Sequence, residues 1–254
     1  MNSLNEYKKF CKLLSESSSD IIKKYFRTKL SLESKSDNSP VTIADKKAEE
    51  IMRELIIKYF PEHGIVGEEF GETNKGSEYT WILDPIDGTK SFICGAYSFG
   101  TLIGLLKNEE PILGVYNHPI LNDFLIGDNY TSELNGSITK VRGCSALSDA
   151  VLLTTDHLNI GKYQNIEKFN QLTKQVKLYR NWGDCYGYYL LSTGFADIMI
   201  DPIMSRWDLL PLIPIVNGAG GVITDYQGND PAIGKSAIAA SSQIHSNVIS
   251  ALNS

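Results

Sequence analysis

Apolar residues recur at helical spacing over the first 60 positions of the chain. Ser3 and Glu6 have the spacing of a capping box, so a first helix is predicted to begin here. A second helix is predicted to begin near Thr42 and to end before Pro61, which cannot continue it. The polar stretch 34–39 is predicted to be a loop. The two apolar stripes consist of Leu4, Tyr7, Cys11, Leu14, Ile21, Ile22, Tyr25 and Phe26, and of Ala44, Ala48, Ile51, Leu55, Ile56 and Tyr59.

Short apolar runs typical of β-strands follow the two helices. Two of these runs flank Asn108-Glu109-Glu110-Pro111, which predicts a β-hairpin with its turn over these four residues. The first half of the chain is therefore predicted to form two helices and then an antiparallel-rich sheet. Its predicted strands cover residues 65–66, 79–83, 99–106, 112–117 and 123–126.

The second half alternates between strand and helix patterns, which indicates an α/β arrangement. One helix is predicted over 208–217, with Pro211 tolerated in its first turn and Pro214 bending it. We expect a seam near Gly143, so that residues 1–143 form an α+β half and residues 144–254 an α/β half of one compact unit. The other predicted elements are strands at 151–154, 196–200 and 222–224, helices at 166–176 and 186–193, and a segment at 176–179 of either type.

The composition is that of an ordinary globular protein of 254 residues, with 42% hydrophobic residues. The net charge of −6 argues against nucleic-acid binding, because affinity for nucleic acid comes largely from basic residues. The N-terminus lacks signal-peptide features, and no apolar run reaches the ~18 residues that span a bilayer. We therefore expect a cytoplasmic protein with no membrane or nucleic-acid partner. Its scattered cysteines form no C-x-x-C pair and are expected to be reduced: Cys11, Cys94, Cys144 and Cys185.

Two carboxylates three residues apart follow the apolar run 81–83. Pro85 stiffens the backbone between Asp84 and Asp87, so both side chains can converge on one side, with the Ile86 carbonyl between them. Such oxygen ligands suit a hard divalent cation. An ordinary surface turn is the alternative interpretation. The apolar strand in front of the turn argues against it.

The two residues after the acidic turn are suited to binding a phosphate. Gly88 has no side chain, so a phosphate can approach its amide. Thr89 offers a hydroxyl and an N–H group at the expected N-terminus of a helix, where anions are favoured.

Further acidic positions strengthen the prediction of a cation site only when they are taken together. Glu68 and Glu69 follow a predicted strand, although paired glutamates are usually a solvated surface. Asp208 and Asp45 each have an alternative role at the N-terminus of a helix, as an N-cap or a first-turn acid. Two or three Mg²⁺ ions would balance this acidic set and a phosphate.

Other chemistries have little support in the sequence. No G-x-S-x-G elbow or phosphate-binding P-loop is present, and the glycines at 218–221 lack the dinucleotide-binding pattern. The histidines show no metal-ligand spacing: His63, His118, His157 and His245.

Four motifs occur together in the order typical of one family. With these motifs, the chain resembles the inositol monophosphatase family of Mg²⁺-dependent, lithium-sensitive phosphomonoesterases. The resemblance implies a sugar-phosphatase-type layered αβαβα sandwich, an α+β or α/β fold, and a homodimer. The motifs are Ser39-Pro40-Val41-Thr42-Ile43-Ala44-Asp45, Gly67-Glu68-Glu69, Asp84-Pro85-Ile86-Asp87-Gly88-Thr89, and Trp207-Asp208 followed by Gly218-Ala219-Gly220-Gly221.

The resemblance also implies roles for individual residues. Asp45 and Thr89 would orient and activate the attacking water, with Glu68 as the third catalytic residue. Glu69 would lie next to the metal ligands without binding the metal itself. Lys35 corresponds to a lysine on a mobile loop of the family. The implied metal ligands are Glu68, Asp84, the Ile86 carbonyl, Asp87 and Asp208, and the implied phosphate contacts are Asp87, Gly88 and Thr89.

The segment that begins at Gly183 resembles the histidinol-phosphate phosphatase branch of the family. Histidinol phosphate carries an ammonium group, which Asp184 and Asp201 could bind by charge-assisted hydrogen bonds. Arg180 and Asn181 are further candidates for the substrate pocket. A helix cap is the alternative role for Asp184. Substrates left open are inositol phosphate, a sugar phosphate and a 3′-phosphonucleotide, and a catalytically idle scaffold is the alternative of another class.

Overall fold

The computed structural model of the protein describes residues 3–28, 32–34 and 40–254. Its first helix, α1 (Leu4–Tyr25), begins with the predicted capping box. The Ser3 hydroxyl accepts from the Glu6 amide at 3.4 Å, and the Ser3 amide donates to Glu6 Oε2 at 2.6 Å. The second predicted helix is also confirmed, as α2 (Ile43–Tyr59). Lys35 lies outside the described residues.

An eight-stranded sheet follows the two helices, in the strand order β10-β9-β8-β7-β6-β5-β3-β4. Neighbouring strands are antiparallel except β3 and β5, which are parallel, so the predicted antiparallel-rich sheet is confirmed. A separate two-stranded sheet pairs β1 with β2. The strands are β1 (Leu32–Ser34), β2 (Pro40–Thr42), β3 (Gly64–Gly67), β4 (Gly71–Thr73), β5 (Tyr79–Asp87), β6 (Gly100–Lys107), β7 (Glu110–His118), β8 (Asp123–Gly127), β9 (Ser132–Leu134) and β10 (Ser137–Ile138).

Two details of this sheet differ from the sequence predictions. The hairpin between β6 and β7 turns over Asn108 and Glu109 alone, not over four residues, and both have positive φ, 50° and 68°. The acidic motif is not a turn after β5 but the end of that strand. A register shift between Asp84 and Asp87 gives it the extra backbone length of a β-bulge.

A five-stranded sheet forms from later residues, in the order β12-β11-β13-β15-β14. The strands β12, β11 and β13 are parallel, whereas β15 pairs antiparallel with both β13 and β14. Parallel pairing requires crossover connections, which helices provide here. The elements are β11 (Val151–Thr154), α4 (His157–Tyr163), α5 (Ile166–Gln175), β12 (Leu178–Arg180), α6 (Asp184–Ser192), β13 (Ile198–Asp201), β14 (Gly221–Thr224), β15 (Ala237–Ser241) and α9 (His245–Asn253).

The single helix predicted over 208–217 is wrong. Two helices form instead, α7 (Arg206–Leu209) and α8 (Leu212–Gly218). The break comes at Pro211, the N-cap of α8, so Pro214 falls in the first turn of that helix. Backbone N–H groups in a first turn have no intrahelical partner, so a proline there costs no intrahelical hydrogen bond.

Helices and sheets alternate in five layers. The pair α1 and α2 packs on one face of the eight-stranded sheet, and α6, α7 and α8 lie between the two sheets. The helices α4, α5 and α9 cover the far face of the five-stranded sheet. Within the described part of the chain, no helix combines the length and apolar character that crossing a membrane requires.

Candidate active site

The bulge at the end of β5 presents a carboxylate cluster at the boundary of the two sheets. Asp84 is buried, and its Oδ1 accepts from the Ile86 amide at 3.1 Å. The hydroxyl of Thr101 donates to the Pro85 carbonyl at 2.7 Å, which holds the bulge against β6. The amide of Cys185, in the first turn of α6, donates to Asp87 Oδ2. The local fold thereby determines where both carboxylates lie.

Asp208 reaches the same place from α7. The N-cap of this helix is Ser205, and its amide donates to Asp208 Oδ2 at 3.0 Å in a capping box. The interpretation of Asp208 as the N-cap is therefore wrong, because Asp208 is the third helical residue. Carboxylate oxygens of Asp84, Asp87 and Asp208 lie within 4.8 Å of one another.

Glu68 lines the same cavity from the turn between β3 and β4. Its amide donates to the Leu83 carbonyl at 3.1 Å, which continues the pairing with β5. The neighbouring amide of Glu69 donates to Glu49 Oε2 at 2.8 Å. A Cβ atom on Gly67 would lie 2.0 Å from Glu49 Oε1, so a side chain at this position would displace the Glu49 carboxylate.

Asp45 and Thr89, the two residues predicted to orient the attacking water, differ in their access to the cavity. Asp45 is buried in the first turn of α2 and does not line the cavity. Thr89 lines the cavity, and its hydroxyl donates to the Ile86 carbonyl at 3.0 Å. That carbonyl has two lone pairs, so this bond leaves it able to bind a cation as well.

Burial raises the pKa of each carboxyl in the cluster, because desolvation opposes the charged form. The pKa of Asp87 rises to about 8 and that of Asp208 to about 7. The pKa of Asp84 rises well above its ordinary value, first through burial and then through the charges of Glu68, Asp87, Asp208 and Asp45. Without a counter-charge, these groups oppose one another's ionisation.

The donor set of the cluster suits a divalent cation. Carboxylate and carbonyl oxygens are the ligands that hard cations such as Mg²⁺ prefer, and a cation would supply the missing counter-charge. Glu68, Asp84, the Ile86 carbonyl, Asp87 and Asp208 all line one cavity. The residues present therefore fit a metal site.

The predicted phosphate-binding segment begins at Gly88. Its φ is +87°, and a Cβ atom there would lie 2.8 Å from the Ser98 carbonyl oxygen and 3.2 Å from Asp184 Oδ2. Gly88 is the N-cap of α3 (Thr89–Ile93), as the predicted helix start requires. Lys90 also lines the cavity and adds a positive charge that the sequence analysis did not single out.

A second wall of the cavity comes from the half of the chain that holds the five-stranded sheet. The Asp184 amide donates to the Thr155 hydroxyl at 2.7 Å, and Asp184 has a left-handed φ of 50°. Burial raises the pKa of Asp184 well above its ordinary value, and the charges of Asp87, Asp201 and Asp156 add to this effect. Asp184 begins α6 with Gly183 as the N-cap, so the cap role is wrong. The cavity measures about 480 Å³ and is also lined by Asp156, Asn159, Asn181, Ser205 and Trp207.

Two predicted substrate residues do not line this cavity. Asp201 is 4% exposed, and it accepts from the Thr155 amide at 3.2 Å and from the Tyr188 hydroxyl at 3.0 Å. Burial raises its pKa to about 6. Arg180 is exposed, and its guanidinium donates to the Tyr179 carbonyl at 2.7 Å.

Comparisons with known proteins identify relatives of this chain. A model of the inositol monophosphatase family matches residues 4–254. The chain is 45% identical over 219 residues to the bifunctional phosphatase IMPL2, chloroplastic, of Arabidopsis thaliana; the match covers 85% of this chain but only 63% of that protein. It is 37% identical to a histidinol-phosphatase of Chlorobaculum parvum, over 94% of this chain and 93% of that one.

A solved structure of an inositol monophosphatase from Zymomonas mobilis has the same fold. Its TM-score is 0.90 at 34% identity, and the match covers 100% of both chains. The layered fold and the family resemblance predicted from the sequence are thus confirmed. The chain belongs to the inositol monophosphatase family, whose members are metal-dependent phosphatases.

Proposed function

We propose that this phosphoric monoester hydrolase is a Mg²⁺-dependent histidinol-phosphate phosphatase. The observation that carries the choice of substrate is the position of Asp184, an acid on the cavity wall next to the phosphate cradle at Gly88. An ammonium group on the alcohol part of the substrate would complement that acid. The identity to a histidinol-phosphatase over 94% of the chain supports the same substrate.

In this proposal, Glu68, Asp84, the Ile86 carbonyl, Asp87 and Asp208 hold the metal. When bound, Mg²⁺ would lower the pKa of a water and neutralise charge on the phosphate. The residues of the chain prepare the remaining geometry. The Gly88 and Thr89 amides bind phosphate oxygens at the start of α3. Thr89 orients the attacking water from the cavity wall, and Asp45, which lies buried outside the cavity lining, is assigned the same role by the family resemblance alone.

Inositol phosphate is the second candidate substrate, because the Zymomonas mobilis structure is described as an inositol monophosphatase. A polyol has no positive charge to pair with Asp184, and we therefore rank it second. A catalytically idle scaffold has less support, since Glu68, Asp84, Asp87 and Asp208 all line the cavity.

A panel of phosphate esters tests the substrate. We expect the highest kcat/KM with histidinol phosphate, lower values with inositol 1-phosphate, a sugar phosphate and a 3′-phosphonucleotide, and loss of activity in EDTA. Addition of Mg²⁺ should restore activity, and Li⁺ should inhibit it. A higher kcat/KM for inositol 1-phosphate than for histidinol phosphate would refute the proposed substrate.

Asp87→Asn tests the metal site. We expect kcat to fall on the order of 10²-fold or more, because the variant loses one charged ligand at the reacting phosphate. The thermal unfolding temperature in EDTA should stay the same or rise, since one of the opposing charges is gone. Asp20→Asn removes an exposed acid on α1 and serves as the control. Full activity of the Asp87 variant would show that the site is wrongly assigned.

The remaining predictions concern the whole protein. We propose a homodimer, a cytoplasmic location and a division at residue 143 into two halves that fold as one unit. Light scattering of the purified protein tests the dimer, and a single cooperative unfolding transition tests the common folding unit.

A further inference from the structure

The cavity has two walls with different chemistry. The residues at 86–91 present backbone amides, hydroxyls and Lys90, which suit the phosphate. The other wall comes from the segment between β11 and α4, the first turn of α4, and the segment from β12 into the start of α6. It presents Asp156, Asn159, Asn181 and Asp184. A substrate whose phosphate lies at the first wall directs its alcohol part to the second.

We propose that Asp156 determines substrate specificity by binding, together with Asp184, an ammonium group on the alcohol part of the substrate. This inference rests on the proposed function and deepens it, because it names a second carboxylate for the amine. Asp156 was not among the candidate residues predicted from the sequence.

The hydrogen bonds of Asp156 leave one oxygen for a ligand. Its Oδ1 accepts from the Leu158 amide at 2.9 Å and so caps the N-terminus of α4. Its Oδ2 accepts no hydrogen bond from any residue that the structure describes. The cap bond fixes the direction of the carboxylate, so little side-chain freedom would be lost when an ammonium group binds.

The charges around the cavity support a cationic ligand at this wall. Glu68 and the carboxylate cluster are expected to be balanced by bound metal, which leaves Asp156 and Asp184 as further acids. Lys90 is the one basic residue among those that line the cavity, and burial with the charges of Asp87 and Asp201 raises the pKa of Asp184 by more than the charge of Lys90 lowers it. Lys162 lies nearby, but its ammonium group donates to Asn159 Oδ1 at 2.8 Å. An ammonium group can donate three hydrogen bonds and would satisfy both acids.

Asp201 cannot take this role in the structure as it stands. Both of its oxygens accept hydrogen bonds, one from Thr155 and the other from Tyr188, and its side chain is buried behind the wall. Asp201 is a positioning residue, because it holds the Thr155 amide while the Thr155 hydroxyl holds Asp184.

The variant Asp156→Asn tests the proposal, since asparagine keeps the cap acceptor but loses the charge. Two esters form a matched pair: histidinol phosphate and imidazolylpropyl phosphate, which is the same molecule without the amine. We expect kcat/KM to fall about tenfold for histidinol phosphate and to stay unchanged for the ester without the amine. Glu167→Gln removes an exposed acid at the start of α5 and controls for net charge.

A second readout keeps the test independent of the physiological substrate. Histidinol should inhibit hydrolysis of the ester without the amine, and Asp156→Asn should weaken this inhibition about tenfold while inhibition by inorganic phosphate stays the same. Equal losses for both esters, or no loss for either, would overturn the role of Asp156, as would failure of histidinol to inhibit the wild type. If the wild type prefers inositol 1-phosphate but the shift in histidinol inhibition occurs, the proposed function fails and the ammonium site stands.

Discussion

Glu49 is a buried carboxylate in α2 that organises the turn carrying Glu68, next to the carboxylate cluster. Its Oε1 accepts from Arg53 Nε at 2.7 Å and from the Phe70 amide at 3.2 Å, and its Oε2 accepts from the Glu69 amide. These bonds fix the backbone on the C-terminal side of Glu68. A buried carboxylate with three donors is stable only while its partners remain in place.

Glu49→Gln should lower the free energy of unfolding by about 3 kcal/mol, because it leaves the Arg53 charge without its partner. We also expect weaker Mg²⁺ binding, since the turn that carries Glu68 loses support. Urea unfolding and Mg²⁺ titration by calorimetry measure the two effects. The exposed neighbour Glu50 provides the control as Glu50→Gln, and equal behaviour of the two variants would contradict the role of Glu49.

Single residues differ in how well the sequence predicts their position. Asp84 and Asp87 lie in one short motif, so local backbone geometry suffices to place them together. Asp201 was predicted to touch the substrate, but its bonds to Tyr188 in α6 and to Thr155, the residue after β11, hold it in the interior. Glu49 carries no local signal, because an acid on a helix normally faces solvent.

At the scale of elements, helix α8 lies directly on the eight-stranded sheet. A Cβ atom on Gly114 of β7 would lie 1.8 Å from the Pro211 carbonyl oxygen, and one on Gly127 of β8 would lie 2.5 Å from Ile215 Cα. The backbone of the helix and the backbone of the sheet are therefore in contact. The same contact between α8 and the sheet also fixes the position of α7 relative to the sheet. The preceding helix α7 carries Asp208.

Gly114→Ala should destabilise the protein by about 2–3 kcal/mol, because the added methyl group displaces α8 from the sheet. The displacement should also weaken Mg²⁺ binding through Asp208. Chemical denaturation and metal titration measure both effects. At the control position Gly143, a Cβ atom would meet only Gln243 Oε1 at 3.7 Å, so Gly143→Ala should change little. An unchanged free energy of unfolding for Gly114→Ala would disprove the tight contact.

The long amphipathic elements are those that the sequence predicts best. Both N-terminal helices and the β6–β7 hairpin have strong periodic patterns. The short helix α4 and the pair β15 and α9 carry weak patterns and were not predicted. The break at Pro211 was missed because the helix was predicted to begin at Asp208, which placed Pro211 in a first turn. The helix begins at Arg206 instead, so Pro211 lies beyond the first turn, where its missing N–H interrupts the hydrogen bonding.

For the molecule as a whole, the carboxylate cluster links stability to pH and to metal. Asp87 has a pKa of about 8 in the folded protein and an ordinary value of ~4 in the unfolded chain, so the folded state binds more protons between these values. Stability without metal is therefore highest near the lower end of this range, falls as pH rises towards about 7 to 8, and levels off above that, once Asp208 and Asp87 have ionised in the folded protein.

In EDTA, the unfolding temperature should drop between about pH 6.5 and about pH 8.5, with a loss on the order of a few kcal/mol in the free energy of unfolding. Burial lowers the pKa of the buried histidines His118 and His245, so they titrate below this window. Saturating Mg²⁺ should remove the drop and raise the unfolding temperature. Scanning calorimetry at both pH values tests this, with the double variant Asp87→Asn and Asp208→Asn as the control. A metal-free protein that becomes more stable over this range would contradict the prediction.

The contact between Asp87 and α6 has a consequence for how the substrate specificity of such an enzyme can change. Asp87 is held by the main-chain N–H of Cys185, and any amino acid except proline supplies that donor. The side chain of Asp184 lines the cavity, whereas the amide of the next residue holds Asp87, a proposed metal ligand, in place. Mutation can therefore exchange the recognised alcohol without dismantling the hydrolytic centre.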